Sequence, residues 1–203
     1  MMRDTSRRYG MLQMSGIVAA LLLLFCAVAP PLASGADDAK KKEKARADIV
    51  KMSDATLSRL YKAQPQAKTA IAKAAGYAVF SNFGMKILFA GGGSGQGVAV
   101  NNGTKKRTYM KMVEVQAGLG MGIKKFRLVW VFENRKDLDA FINSGWEIGG
   151  QTSAAAQASG QGVAFAGAMS IAPGVWLYQL TDDGIALELT AKGTKYYKDG
   201  DLN

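Results

Sequence analysis

The hydrophobic positions along this chain keep three different rhythms. From Ile17 to Ala29 they run unbroken, as IVAALLLLFCAVA. From Ala45 they recur at helical spacing: Ile49, Met52, Leu57, Leu60 and Tyr61 fall largely on one face, with Lys51, Arg59 and Lys62 off it. Pro65 suits the first turn of a second helix, where its missing N–H costs nothing. Ala67, Ala70, Ile71 and Ala74 give that helix a small apolar face, and Gly76 is the expected stop.

Beyond Gly76 the period is two. In VEVQAGLGMGI, residues 113–123, the odd positions Val113, Val115, Ala117, Leu119, Met121 and Ile123 are apolar. The even positions Glu114, Gln116, Gly118, Gly120 and Gly122 fade from polar to bare. This predicts a strand with the odd face inward. Lys124 and Lys125 read as a turn into a second strand, FRLVWVFE, where Phe126, Leu128, Trp130 and Phe132 alternate, so the two strands form a hairpin. Asn134 caps a helix over 135–144 that Gly145 closes, with Leu138, Phe141 and Ile142 as its buried stripe. Strands resume over 146–157, with Trp146, Ile148, Thr152, Ala154 and Ala156 inward, and over 162–171, with Val163, Phe165, Met169 and Ile171 inward. Two more, 174–181 and 184–191, are joined by the tight Asp182-Asp183-Gly184 turn. The fold class is α+β: N-terminal helices packed on a curved antiparallel β-sheet or barrel-like sandwich.

The first rhythm changes the picture of location. Arg3, Arg7 and Arg8 precede about thirteen apolar residues, fewer than the roughly 20 that span a bilayer. Small residues follow, and Ser34 and Ala36 suit a cleavage site. The expectation is an exported protein of the periplasm or cell envelope with a signal peptide over 1–36. The rival is a lipoprotein anchored through Cys26, disfavoured by the bulky Phe25 before it. Residues 37–56 are then a basic lead-in and the start of the amphipathic helix, and 57–203 the domain. With the leader go the lone Cys, three Arg and Asp4. That takes 26 basic and 16 acidic residues to 23 and 15, with no His or Cys left. A chain without disulfides in an oxidising compartment must rest on its core.

Composition also narrows the chemistry. Without His or Cys, zinc and copper sites and the usual serine–base pair lack their groups, so no cofactor or catalytic residue is expected. Glu114, Glu133, Glu147 and Glu188 stand isolated on strands, which leaves a carboxylate-pair hydrolase as a distant third reading. The stretch FAGGGSGQGVAV, 89–100, has five glycines but neither the Lys-Ser/Thr ending of a phosphate loop nor a following helix. Gly91, Gly92, Gly93, Gly95 and Gly97 therefore read as a loop between strands, where glycine permits close approach. The bare runs Gly118, Gly120, Gly122 and Gly162, Ala164, Ala166, Ala168 read as tight packing surfaces, with a groove for an acyl chain or a partner backbone as the alternative.

Two basic clusters point to an anionic partner. Lys40, Lys41, Lys42, Lys44, Arg46 and Lys51 lie before and within the first helix. Lys105, Lys106, Arg107, Lys111, Lys124, Lys125 and Arg127 lie in and between strands. Each Lys or Arg near an anionic bilayer is worth about 1 kcal/mol. Nucleic acid is not expected outside the cytoplasm. An anionic phospholipid membrane is the expected partner, and an envelope protein or wall polymer bound by a scaffold or adhesion protein is the alternative.

The ordered runs GYAVFSNFGMKILFAGGGSGQGVAV, VQAGLGMG, Trp146–Gly150 (WEIGG) and GVWLYQLTDDGIALELTAKGTKYYKDGDLN closely resemble bacterial members of the SYLF lipid-binding domain family, over about Leu57 to Asn203. The resemblance implies a non-enzymatic role. Eukaryotic relatives bind phosphoinositide membranes through a basic amphipathic N-terminal helix and help organise actin, and bacterial relatives are exported. What it implies here is anionic lipid binding through 40–62, with the glycine run as a structural signature of the family.

Overall fold

A computed structural model describes residues 34–87, 90–117, 122–148, 165–181, 184–186 and 193–203. Helix α1 (Ser34–Ala63) leads, followed by α2 (Pro65–Lys73). Four long strands come next: β1 (Gly76–Ile87), β2 (Ala90–Asn101), β3 (Arg107–Ala117) and β4 (Gly122–Phe132). After α3 (Arg135–Ser144) come β5 (Trp146–Ile148), β6 (Met169–Ala172), β7 (Val175–Thr181), β8 (Gly184–Ala186) and β9 (Thr194–Lys198). Among the described residues these strands form one curved antiparallel sheet in the order β5-β9-β3-β2-β1-β4-β7-β6, with β8 on β7. The α+β class is as expected.

The helix signals read well. Pro65 opens α2. Asn134 caps α3 by accepting a hydrogen bond from the Asp137 N–H at 3.0 Å, and Gly145, at φ 74°, ends it in the left-handed region. The expected start of the first helix at Ala45 is eleven residues late, because Ala, Lys and Glu propagate a helix without any apolar face. Gly76 does not end α2, which stops at Lys73. It begins β1, and a Cβ there would lie 2.6 Å from Leu138 of α3.

The sheet is packed on both faces. In β1, Ala78 and Phe80 face α3, and Val79 faces α1 and α2. β4 is buried on both sides: Phe126, Leu128, Trp130 and Phe132 join the α3 layer, and Val129 and Val131 join Leu57, Leu60, Ala67 and Ile71. On the α3 side Phe141 sits among Trp130, Phe132 and Tyr196, with ring centroids 4.9–5.4 Å away. A smaller cluster joins Ile49 of α1 to Val98, Val100 and Leu202.

Three strand expectations are corrected. The glycine-rich stretch is a strand, β2, paired throughout with β1 and β3. The register explains its composition: Phe80 and Met112 lie across Gly97 and Gly95, and a Cβ at Gly97 would collide with the Val79 carbonyl and the Phe80 ring. The hairpin joining 113–123 to FRLVWVFE does not form. β1, β2 and β3 are a meander and β4 returns beside β1, a Greek key that puts Lys124 and Lys125 inside a strand. The inward face of β3 is also the opposite one. Met110, Met112 and Glu114 are buried, while Val113 is 38% and Val115 68% exposed. The glycines opposite leave room for methionine, and the Asn82 amide donates to the buried Glu114 carboxylate at 2.5 Å. The expected 174–181 and 184–191 hairpin appears as β7 and β8, paired from Thr181 and Gly184. Residues 149–164 and 187–192, and with them most of the expected 146–157 strand, lie outside the described residues, as do residues 1–33 of the expected leader with Cys26.

Candidate functional site

The first basic cluster divides by role. Every residue from Gly35 to Lys44 is exposed, so Lys40, Lys41, Lys42 and Lys44 stand on solvated helical turns. Lys44 pairs with Asp48 at 3.4 Å, one turn on. Lys51 is exposed as well. Arg46 differs. Its Nε donates to the Leu202 carbonyl at 2.8 Å, and its guanidinium lies 5.9 Å from the Tyr109 ring centroid. Asn203 completes that joint, donating to the Tyr109 carbonyl at 2.7 Å and accepting from the Tyr109 N–H at 2.9 Å. Arg46 therefore ties α1 to β3 and to the last residues. The apolar stripe of α1 is used in the same way: Ile49, Leu57 and Leu60 are buried against the sheet. What α1 exposes over Gly35–Lys44 is charge, while its apolar stripe is buried. Among the described residues no helix is long and apolar enough to cross a membrane.

The second cluster splits between two ends of the sheet. Lys105, Lys106 and Arg107 are exposed at the β2–β3 turn, where the Asn101 side chain accepts from the Gly103 and Thr104 N–H groups and Lys105 takes φ 58°. Lys106 and Arg107 join Arg46 and Lys198 around a cavity of about 410 Å³. This brings members of both clusters together. Lys198 there donates to the Asn143 side chain at 2.8 Å. Lys124 and Lys125 lie in β4, opposite Gly84 and Phe83. Six strand residues separate the Arg107 end from the Lys125 end, roughly 20 Å at 3.3 Å each.

At the Lys125 end, Arg59 of α1, Ser81 of β1 and Lys125 and Arg127 of β4 line a second cavity of about 250 Å³, walled also by Phe126, Leu180 and Thr181. Arg127 and Ser81 are register partners, and the guanidinium donates to the Ser81 hydroxyl. Arg59 donates to the Thr181 carbonyl at 2.8 Å. Alternation marked Arg127 as facing away from Phe126 and Leu128, and Arg59 lay off the apolar stripe. Neither signal said that they meet, because the strand order and the seating of α1 are tertiary facts.

Next to this cavity the sheet face is open. Ser81, Gln96, Lys111 and Tyr197 form one cross-strand row through the ladders of β1, β2, β3 and β9. Exposed Val113 and Val115 follow Lys111 along β3. Lys111 is engaged by Asp199 at 3.0 Å and Asp201 at 3.1 Å, and hydrogen bonds to those carboxylates raise its ammonium above the usual lysine range.

Of the four candidate glutamates, Glu114 and Glu133 are too far apart to form a pair. Glu114 is buried toward one end of the sheet, and Glu133 is exposed beyond the other, past Phe132. The roughly nine strand residues between these levels make ~30 Å, against the ~5–10 Å of a glycosidase pair. Glu147 stands opposite Lys195 in the ladder, and Glu188 lies outside the described residues. Gly91, Gly92, Gly93, Gly95 and Gly97 sit inside β2 as ladder positions.

Residues 113–203 match the Ysc84 family, described as Las17-binding protein actin regulator. A curated protein, Beta cell expansion factor A of Aeromonas veronii, is 36% identical over 170 residues, 80% of this chain. The chain spans about 60% of the length of that relative.

Proposed function

We propose that this chain, similar over 113–203 to the Ysc84 family and 36% identical to its curated relative, is an exported envelope protein of the SYLF family, a non-enzymatic domain family known for lipid binding, and that it binds anionic phospholipid head groups through basic side chains. The observation that carries this reading is the solvated helical run of α1, which holds Lys40, Lys41, Lys42 and Lys44 clear of any packing contact. A membrane can meet these ammonium groups without unfolding anything. The basic leader and its short apolar run support export. An exported chain does not meet actin, so the lipid property is the one carried over from the family.

The test is co-sedimentation of the protein with vesicles of phosphatidylcholine, with and without phosphatidylglycerol, at low and high salt. Binding should require the anionic lipid and fall with salt. Reversing Lys40, Lys41, Lys42 and Lys51 to Glu should weaken it by roughly two to three orders of magnitude, from about 1 kcal/mol per lysine. Unchanged binding by the reversed variant rules out the helical lysines as the site. A wild type that stays in the supernatant, while one envelope protein co-purifies in stoichiometric amount, establishes the scaffold alternative.

A further inference from the structure

The cavity of about 410 Å³ at the Arg107 end of the sheet gathers Arg46, Lys106, Arg107 and Lys198, and all of its lining lies within the described residues. The four cations come from α1, from the β2–β3 turn with the start of β3, and from the end of β9, so only the fold brings them together. Bringing like charges to one cavity costs Coulomb energy unless an anion sits among them. The lining holds no Asp or Glu, and among the described residues no carboxylate pairs with any of these four cations. The acids of the nearby tail are turned elsewhere, since Asp199 and Asp201 both engage Lys111. The volume falls in the range of small-molecule sites, roughly 300–1,000 Å³.

The donors are placed before any ligand arrives. Arg46 gives its Nε–H to the Leu202 carbonyl at 2.8 Å, and a guanidinium carries five N–H donors in a rigid fork, so others remain. Lys198 gives one of its three ammonium protons to the Asn143 side chain at 2.8 Å. The edge of β3 adds the main chain. β9 pairs with β3 over Met110–Glu114, and the Asn203 side chain takes the next place along that edge, on the Tyr109 N–H and C=O. The Asn101 N–H donates to the Lys106 carbonyl at 3.0 Å, which turns Lys106 toward β2. Alternation then turns the Arg107 N–H to the Tyr109 edge, one step further out and beside the cavity.

We propose that this cavity binds a phosphate monoester group, with Arg46 and Arg107 as its hydrogen-bonding forks and Lys106 and Lys198 as point charges. A phosphate monoester carries about −1.5 to −2 at neutral pH, which matches four cations better than the single charge of a carboxylate. The ester is that of a lipid head group or of a soluble molecule, since the chemistry is shared. The lipid source rests on the function proposed above; the phosphate site does not. Lys42 favours the lipid source: it is exposed and stands four residues before Arg46, so the lysine run of α1 and the cavity share a face of that helix.

The experiment uses the full chain and two kinds of probe. Inorganic phosphate and glycerol 3-phosphate are titrated calorimetrically against chloride at equal ionic strength. Vesicles of phosphatidylcholine with phosphatidic acid, whose head group is a phosphate monoester, are sedimented in parallel. The cavity variants are Lys106→Gln, Arg107→Gln and Lys198→Gln. All three residues are exposed, so the variants keep the fold, and a melting curve verifies each. Lys73→Gln, at the exposed end of α2 and outside the lining, removes one charge elsewhere. Each cavity variant should weaken the phosphate-bearing probe roughly tenfold, the loss of one charge-assisted contact, and Lys73→Gln should leave it unchanged. Equal weakening by Lys73→Gln means that binding follows net charge alone, and the site is overturned. Weakening of vesicle binding alone assigns the lipid source, and weakening of glycerol 3-phosphate binding assigns the soluble ester. If the α1 lysine reversals abolish vesicle binding and the cavity variants change no probe, this proposal is overturned while the membrane reading stands. If vesicles never bind but the cavity variants lose glycerol 3-phosphate, the membrane reading falls and the cavity stands. A wild type that binds no phosphate and no vesicle overturns both.

Discussion

Two glycines of one strand separate what composition can say from what geometry adds. At Gly97 a Cβ would meet the Val79 carbonyl and lie 2.5 Å from the Phe80 ring, whereas at Gly92 it would find only the Glu114 carbonyl at 3.5 Å. Gly97→Ala should therefore destabilise the fold by about 1–3 kcal/mol through overpacking. Gly92→Ala should stay within about 0.5 kcal/mol of the wild type. Urea unfolding of both variants reads the difference, and equal losses would refute the packing account. The sequence shows five glycines and cannot rank them, because the ranking depends on which side chains cross from β1 and β3. Arg46 carries the same lesson. It reads as one more cation in a basic run, and only the seating of Leu202 and Tyr109 beside it shows that it is spent on the fold.

At the scale of elements, legibility follows how local the signal is. α3 was readable to the residue because its cap, its stripe and its terminating glycine all lie within a dozen positions. Asn134→Ala should cost about 1 kcal/mol by removing the acceptor for the Asp137 N–H. A thermal melt that matches the wild type would show that tertiary packing alone sets the start of α3. β3 was readable as a strand but not for its face. Alternation of period two is symmetric under inversion, and a register set by distant partners breaks that symmetry. The hairpin error has the same root, since the sequence order β3, β4 says nothing of a Greek key. The candidate site fared likewise: the cations were visible, and their division into two ends of the sheet was not.

For the whole molecule, the density of its core makes a prediction about pH. Tyr178 and Tyr196 are fully buried. Burial pushes the Tyr178 phenol up from 10.0 to about 12. Burial pushes Tyr196 up as well, and the nearby Glu114 carboxylate adds to it. Above pH 10 the unfolded chain gives up phenolic protons that the folded chain keeps, so stability falls as pH rises. The stabilisation is present in full below about 10 and is lost as pH climbs through 10 toward 12 for Tyr178. Circular dichroism against pH should show alkaline unfolding, with these two phenols ionising only as the sheet melts. The Tyr178 hydroxyl has no hydrogen-bond partner among the described residues, so Tyr178→Phe should fold well and move the transition to higher pH. A midpoint that does not move would exclude Tyr178 from the linkage.

The place of β9 has a consequence in time. This strand, Thr194–Lys198, lies between β5 and β3, so the sheet is joined there by residues that leave the ribosome after nearly everything they connect. Arg46 likewise waits for a partner 156 positions downstream. Closing such long loops is slow, since their entropy is lost before the contacts that repay it can form. The growing chain cannot finish its fold early, and under the export proposed above that delay keeps the polypeptide able to pass a membrane unfolded.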